Sequence, residues 1–286
     1  MIDWMLLAYA APVAFAALGE TVVQRSGVLN IGLDGTMLLS AFFGMLVTFL
    51  TKSPYLGLAA GAGVGMLAAA IFGLFTVYLA SDQVVVGTAV NLLALGLTST
   101  LYRSKFGQSG QLVSVPKLPA WNGVDLATIL LLAAIPLVWL LLRQTAWGLA
   151  VRSAGEYPKA AEAAGYSVHR LRMGALLVGG FLGGLGGGYL SVGIAGSFAE
   201  NMTAGRGFVA IAMVTFGRWR PALVFAAALL IGAAESLQFR FQTLGWKVPF
   251  QLMIALPYIV ALLVLVIVGK GTVAPKALGQ SYRRER

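Results

Sequence analysis

The chain contains no cysteine and a single histidine, His169, among its 286 residues. Without cysteine there is no disulfide framework, thiolate metal site, iron–sulfur cluster or thiol nucleophile. One histidine excludes a multi-histidine metal centre and weighs against a histidine-based catalytic triad. Charge is scarce as well: Asp, Glu, Lys and Arg make up 10% of the residues, against about 25% in soluble domains. Acids are the rarer sign, 10 against 20 Lys and Arg. No G-x-x-x-x-G-K-[ST] phosphate loop occurs, and the nearest fragment, Gly269-Lys270-Gly271-Thr272, has the wrong order. If ATP drives this protein, its hydrolysis belongs to a separate subunit.

Apolar residues take the place of charge, at 59% of the chain and a mean hydropathy of +0.85. Crossing about 30 Å of hydrocarbon takes about 20 mostly apolar residues. Runs that qualify or nearly qualify are 4–19, 31–51, 55–80, 84–103, 125–142, 171–194, 205–217, 219–239 and 249–269. The expected fold is therefore all-α, a polytopic membrane helical bundle of nine to ten spans forming one domain over 1–286. The first run begins after Asp3 with no basic leader, so it reads as a retained span rather than a signal peptide. The net charge of +10 lies in short gaps between apolar runs, not on one solvated face. Lipid, not nucleic acid, is the partner this pattern fits.

The two densest basic stretches are 143–172, with Arg143, Arg152, Lys159, Arg170 and Arg172, and the tail 270–286, with Lys270, Lys276, Arg283, Arg284 and Arg286. Both are expected in the cytoplasm, as a loop over 144–170 and a C-terminal tail. Counting crossings back from there puts the N-terminus outside. It also puts 104–124 outside, despite Arg103, Lys105 and Lys117.

Polar residues interrupt the spans at three places. In 24–35, Gln-Arg-Ser-Gly-Val-Leu-Asn-Ile-Gly-Leu-Asp-Gly is too apolar for an ordinary loop and too polar for an undisturbed span. A helix broken near Gly27 or Gly32 fits, and so does a short cytoplasmic turn. In 196–207, Gly-Ser-Phe-Ala-Glu-Asn-Met-Thr-Ala-Gly-Arg-Gly again precedes a shortened apolar run. Two interrupted segments in corresponding halves point to inverted repeats around a central pathway. The third place is the polar entrance Asp82–Asn91, and Glu235 and Gln238 add a polar helix face near the end of 219–239. Gln24, Asn30, Asp34, Asn91, Asn201 and Gln238 are the candidate path-lining residues, since neutral amides can read a sugar or base without burying charge. For any one of them, helix-to-helix hydrogen bonding is the commoner role. The acids Asp34, Asp82, Glu200 and Glu235 sit near span ends or breaks, which weighs against a proton-coupled carrier.

Glycine is abundant at 36 residues. In 179–188, Gly180, Gly184 and Gly188 recur every fourth position, which lets helix backbones approach closely. In the basic loop, Glu156-Tyr157-Pro158 leads into an alanine-rich run that ends at Gly165. Pro158 suits the first helical position and Gly165 the stop, giving a short bounded helix with a small smooth face. Glu156, Tyr157, Pro158, Ala161, Ala164 and Gly165 are its candidate docking residues.

Four stretches carry a family resemblance: QRSGVLNIGLDG (24–35), RSAGEYPKAAEAAG (152–165), GRGFVAIAMVTFGRWRP (205–221) and APKALGQSY (274–282). In this order they resemble permease subunits of bacterial ABC importers, the family serving ribose-type sugars and branched-chain amino acids. Within it the chain is most similar to the shorter permease of nucleoside or simple-sugar importers. The resemblance implies a heterodimer with a longer second permease, a cytoplasmic ATPase that binds ATP and Mg, and an extracytoplasmic substrate-binding lipoprotein. It implies no cofactor, metal or catalytic residue in this chain, which would lie in the bacterial inner (plasma) membrane. Pro158–Ala164 matches the family's coupling helix, and Ser26–Gly35 its broken second helix beside the path.

Overall fold

The computed structural model describes residues 4–107, 113–121, 123–243 and 273–283, with 255, 259, 260, 262, 263 and 266 between the last two stretches. The expected span 249–269 lies mostly outside the described residues, as do Lys270, Arg284 and Arg286. The described residues are mostly helical. Its first four helices are α1 (Trp4–Arg25), α2 (Leu33–Thr51), α3 (Pro54–Gly73, prolonged by a π-helical turn over Leu74–Tyr78) and α4 (Gln83–Phe106). A two-residue antiparallel hairpin, β1 (Ala120–Trp121) with β2 (Val124–Asp125), leads into α5 (Leu126–Gln144). Two short helices follow, α6 (Ala146–Glu156) and α7 (Pro158–Ala163). The long α8 (Val168–Tyr189) is prolonged by a π-helical turn over Leu190–Ala195, and α9 (Arg206–Phe216) and α10 (Pro221–Thr243) complete the order.

Six of these helices are long and apolar enough to cross a membrane: α1, α2, α3, α4, α5 and α8. Nine to ten spans are not established by length. The expected span 205–217 is the 11-residue α9, which at 1.5 Å per residue reaches only about 16 Å. Within the bundle, α1 and α8 are each 83% buried over their apolar windows, α4 only 22% and α5 33%. So α1 and α8 form the interior, while α4 and α5 turn apolar faces outward. Leu92, Leu93, Leu137 and Leu140 on those faces are exposed, a composition that suits lipid rather than water.

Glycine explains why α8 can be the central post. A side chain on Gly180 or Gly184 would stand 2.5 Å from the backbone of Gly65 or Gly61 of α3. On Gly186 it would meet the Pro12 carbonyl of α1 at 2.5 Å, and on Gly187 the Met37 carbonyl of α2 at 2.2 Å. Three helices thus lie directly on α8 backbone, one on each glycine face. Where lipid removes the hydrophobic drive between helices, such close van der Waals contact supplies the attraction.

Caps fix the helix ends. Asp82 accepts from the amides of Val84 and Val85 to start α4. Asp125 accepts from Thr128 to start α5, and also takes the Tyr189 hydroxyl at 2.7 Å, pinning the hairpin to the end of α8. The segment before the hairpin uses the carbonyls that close α8: Val115 donates to Gly196 at 2.9 Å and the Lys117 ammonium to Ile194 at 2.7 Å.

Gly184→Leu would force α3 off α8 and is expected to destabilise the protein by about 3 kcal/mol or more, beyond ordinary overpacking because backbone must move. Thermal unfolding in detergent measures it. Gly63→Leu, at an exposed position with nothing within 4 Å of an added side-chain carbon, should leave the melting temperature nearly unchanged.

Candidate translocation and coupling region

Helix α1 stops at Arg25 and α2 does not begin until Leu33, so the chain leaves helical geometry within 24–35, as both readings of that stretch require. Seven residues leave helical geometry, with Gly27 at φ +91°, a conformation L side chains rarely adopt. Gly27 also has no room: an added carbon would meet Arg172 at 2.9 Å and the Ala277 carbonyl at 3.1 Å.

The break is buried, so its backbone groups must find partners inside the protein. Side chains from two helices provide them. The Leu29 amide donates to Gln83 Oε1 at 2.8 Å and the Asn30 amide to Glu20 Oε1 at 3.1 Å. Asn91 braces the end of the gap against the first turn of α2: its Oδ1 accepts from the Gly35 amide at 2.7 Å and its Nδ2 donates to the Ile31 carbonyl at 3.0 Å. Three buried polar atoms around the same break, Glu20 Oε2, Asn30 Oδ1 and Gln83 Nε2, have no partner. Spare hydrogen-bonding capacity therefore faces the break.

The second interruption is equally definite. The chain leaves α8 at Gly196 (φ +65°), runs non-helically to Gly205 (φ +85°) and then enters α9. The Asp34 carboxylate in the first turn of α2 accepts from the Gly207 amide in the first turn of α9 at 2.9 Å and from Thr203 Oγ1 at 3.1 Å. Two helix N-termini thus share one anion, which stabilises both dipoles. Farther along, Arg206 pairs with Glu235 of α10 at 3.2 Å.

Of the expected path residues, Gln24, Asn30, Asp34 and Asn91 gather at the first break. Gln24 is buried, donates to Glu20 and accepts from the Trp219 ring nitrogen at 2.8 Å. Asn201 is exposed in the second interruption at φ +57°. The side chain of Gln238 lies outside the described residues. Sequence reading missed Glu20 and Gln83. Glu20 is the lone acid in the run 4–25, one helical turn before Gln24, and that spacing was the available signal.

At the end of the bundle that carries Arg25, the expected short helix is present as α7, with Pro158 at its first turn, Ala164 as C-cap and Gly165 at φ +87°. Ala161 is buried and faces the bundle, leaving Lys159, Ala160, Ala163, Ala164 and Gly165 on the outward side, with Tyr157 exposed before them. The tail segment 273–283 ties this helix to the first break. Ala277 donates to the Gly155 carbonyl at 2.9 Å and Gly279 to the Gly27 carbonyl at 3.0 Å. Buried Arg172 of α8 donates to the Ser26 carbonyl at 3.2 Å and to the Gln280 carbonyl at 2.8 Å. Lys276 hydrogen-bonds the Tyr157 hydroxyl, which raises the lysine pKa above its ordinary value, and its amide reaches Glu156 at 3.4 Å. Tyr282 bonds Glu162. His169 packs between the rings of Tyr78 and Tyr282.

A polytopic helical membrane protein with two interior interruptions and a short surface helix tied to one of them by a tail segment has the build of a transport permease. The chain belongs to the family described as the permease component of the branched-chain amino acid transport system, which it matches over residues 4–269. It is 34% identical to the guanosine ABC transporter permease NupQ of Bacillus subtilis, covering 96% of this chain and 94% of that protein. It is 32% identical to the nucleoside ABC transporter permease NupC of Lactococcus lactis, covering 98% and 96%. It is also 32% identical, over 96% and 95%, to TsgC13 of Haloferax volcanii, whose name assigns it provisionally to glucose ABC transport. No solved structure matches the chain.

Asn91→Ala leaves the Gly35 amide and the Ile31 carbonyl unpaired, at a cost of about 1–3 kcal/mol for each buried group left unsatisfied. Asn201→Ala removes an exposed side chain and should change stability by less than about 0.5 kcal/mol. Thermal unfolding of the two variants side by side checks the contrast.

Proposed function

We propose that this chain is one transmembrane half of an ATP-driven importer of nucleosides. The carrying observation is its similarity, over nearly its whole length, to permeases named for guanosine and nucleoside transport. The basic end with α6, α7 and the tail faces the cytoplasm, as the positive-inside bias favours. The N-terminus lies outside. The half-length α9, continuous with the non-helical stretch before it, counts as one crossing, so that with α10 and 249–269 the chain crosses nine times. Two broken segments whose following helices meet N-terminus to N-terminus at Asp34 support an inverted-repeat origin.

The chain pairs with a second, longer permease. It binds no cofactor itself; ATP and Mg belong to a cytoplasmic ATPase, and a substrate-binding lipoprotein delivers cargo from outside the bacterial inner membrane. Helix α7 is the coupling helix, with Glu156, Tyr157, Pro158, Ala164 and Gly165 at the ATPase contact and Ala161 anchoring it to the bundle. The route of coupling runs through the tail: movement of α7 pulls on Gly155 and Ala277, and through Gly279 and Arg172 on Gly27 and Ser26. ATP binding shifts the permease between states because the motor binds them with different free energy. Gln24, Asn30, Asp34, Asn91, Asn201 and Gln238 line or frame the path, and the unpartnered oxygens and nitrogen at the first break are where a polar cargo finds hydrogen bonds. A simple sugar is the second reading, favoured by the Haloferax relative. Glu20 is the acid an ion-coupled carrier would require, but one of its oxygens is committed to closing the break.

Co-expression with the cognate ATPase should give a stable complex that Ala160→Trp or Ala164→Trp reduces at least tenfold with the permease still folded. In proteoliposomes, radiolabelled guanosine should accumulate only with ATPase and ATP. Uptake by the permease alone, or uptake abolished by a protonophore while ATP persists, contradicts the reading.

A further inference from the structure

At the same end of the bundle, separate from the surface made by α7 and the tail, four arginines converge on one cavity. Arg25, Arg143, Arg152 and Arg220 line a space of about 410 Å³ between the last turns of α1 and α5, helix α6 and the start of α10. No carboxylate lines it, and among the described residues none of the four pairs with an acid. Glu156, the acid within electrostatic reach of Arg25, is outside the cavity wall. Arg25 spends part of its donor capacity on the Trp219 carbonyl at 3.2 Å. Arg152 Nε is buried and has no partner at all. Pro221, Ala222 and Leu223, the first residues of the 23-residue α10, form another part of the wall, and Ala222 and Leu223 add amides that have no acceptor within the helix.

So many cations facing one space, with a buried donor unspent, call for an anion with several acceptor oxygens. The remaining wall says which kind. Trp139 and Leu223 belong to apolar helices and are 41% and 45% exposed, so the cavity opens sideways where a membrane helix meets the interface. Tryptophan is the residue that settles at headgroup level. A docking protein would meet the surface of α7 and the tail instead, where a second cavity, walled by Tyr157, Pro158, Lys276 and Tyr282 among others, shares no lining residue with this one.

We propose that this cavity binds the phosphate of an anionic phospholipid, with its acyl chains lying along α5 and α10. The assignment depends on the chain being embedded in a membrane and not on its cargo. The guanidinium planes of Arg143 and Arg152 hold the phosphate oxygens, Arg25 and Arg220 contribute longer-range attraction, and Trp139 packs against the glycerol backbone.

The purified full chain is titrated with phosphatidylglycerol in native mass spectrometry, alongside phosphatidylcholine and inorganic phosphate. Phosphatidylglycerol should bind at least tenfold more tightly than phosphatidylcholine. R143Q and R220Q change exposed residues and should each weaken it about fivefold, the pair by 20-fold or more. R218Q removes a neighbouring exposed arginine outside the cavity and should change binding less than twofold, and unchanged melting temperatures show that the variants remain folded. Equal binding of the two lipids, or of phosphatidylglycerol to wild type and R143Q/R220Q, overturns the proposal. So does inorganic phosphate displacing the lipid at equal concentration, which makes the site one for free anions. A fourth contrary result is that R143Q/R220Q releases the ATPase or the second permease while lipid binding is kept.

Discussion

A backbone amide released from its helix inside an apolar bundle has no water to turn to, and that constraint organises this molecule. Each place where the chain leaves helical geometry in the interior is matched by a side chain sent from elsewhere. Gln83, Glu20 and Asn91 serve the break at 26–32, and Asp34 serves the start of α9. The unpaired alternative costs roughly 1–3 kcal/mol per group. Breaks of this kind therefore do not persist by accident, and they mark where the fold accepts expense for function.

The second constraint is closeness. With α3, α1 and α2 each lying on bare backbone of α8, few soft side chains separate these helices from the central post. Arg172 stands at the foot of this post. It is buried, donates to both the first break and the tail, and so joins three parts of the chain distant in sequence. Helices α6 and α7, the tail and the break form one hydrogen-bonded block. That arrangement suits a protein whose work is driven from outside itself.

Much of this could be read from letters alone. Hydropathy marked the apolar helices, Pro158 and Gly165 bracketed α7, and the Gly and polar content of 24–35 marked the break. The four-residue glycine spacing correctly named the α8 face that meets α3. Over 205–217 the helix stops after three turns, and the non-helical stretch that leads into it is not legible in hydropathy. Asn91 stands out in sequence as an amide within an apolar helix, but its bonds to Gly35 and Ile31 depend on partners 56 and 60 residues away. Glu20 was overlooked since nothing near it in sequence pairs with it except Gln24, and its other bond, to Asn30, spans the break itself. The tail motif APKALGQSY was recognisable only by resemblance. Its meaning lies in bonds to Gly155, Gly27 and Arg172 that no local pattern encodes.

The natural absence of cysteine makes one experiment unusually clean. A single cysteine at Ala164, on the outward side of α7, is the only thiol in the chain, and its reaction with a membrane-impermeant maleimide reports where α7 lies and what covers it. The thiol should react in inside-out membrane vesicles, stay unlabelled in right-side-out cells and be protected when the cognate ATPase is bound. Labelling from the outer side, or labelling indifferent to the ATPase, would contradict a cytoplasmic α7 that the ATPase covers.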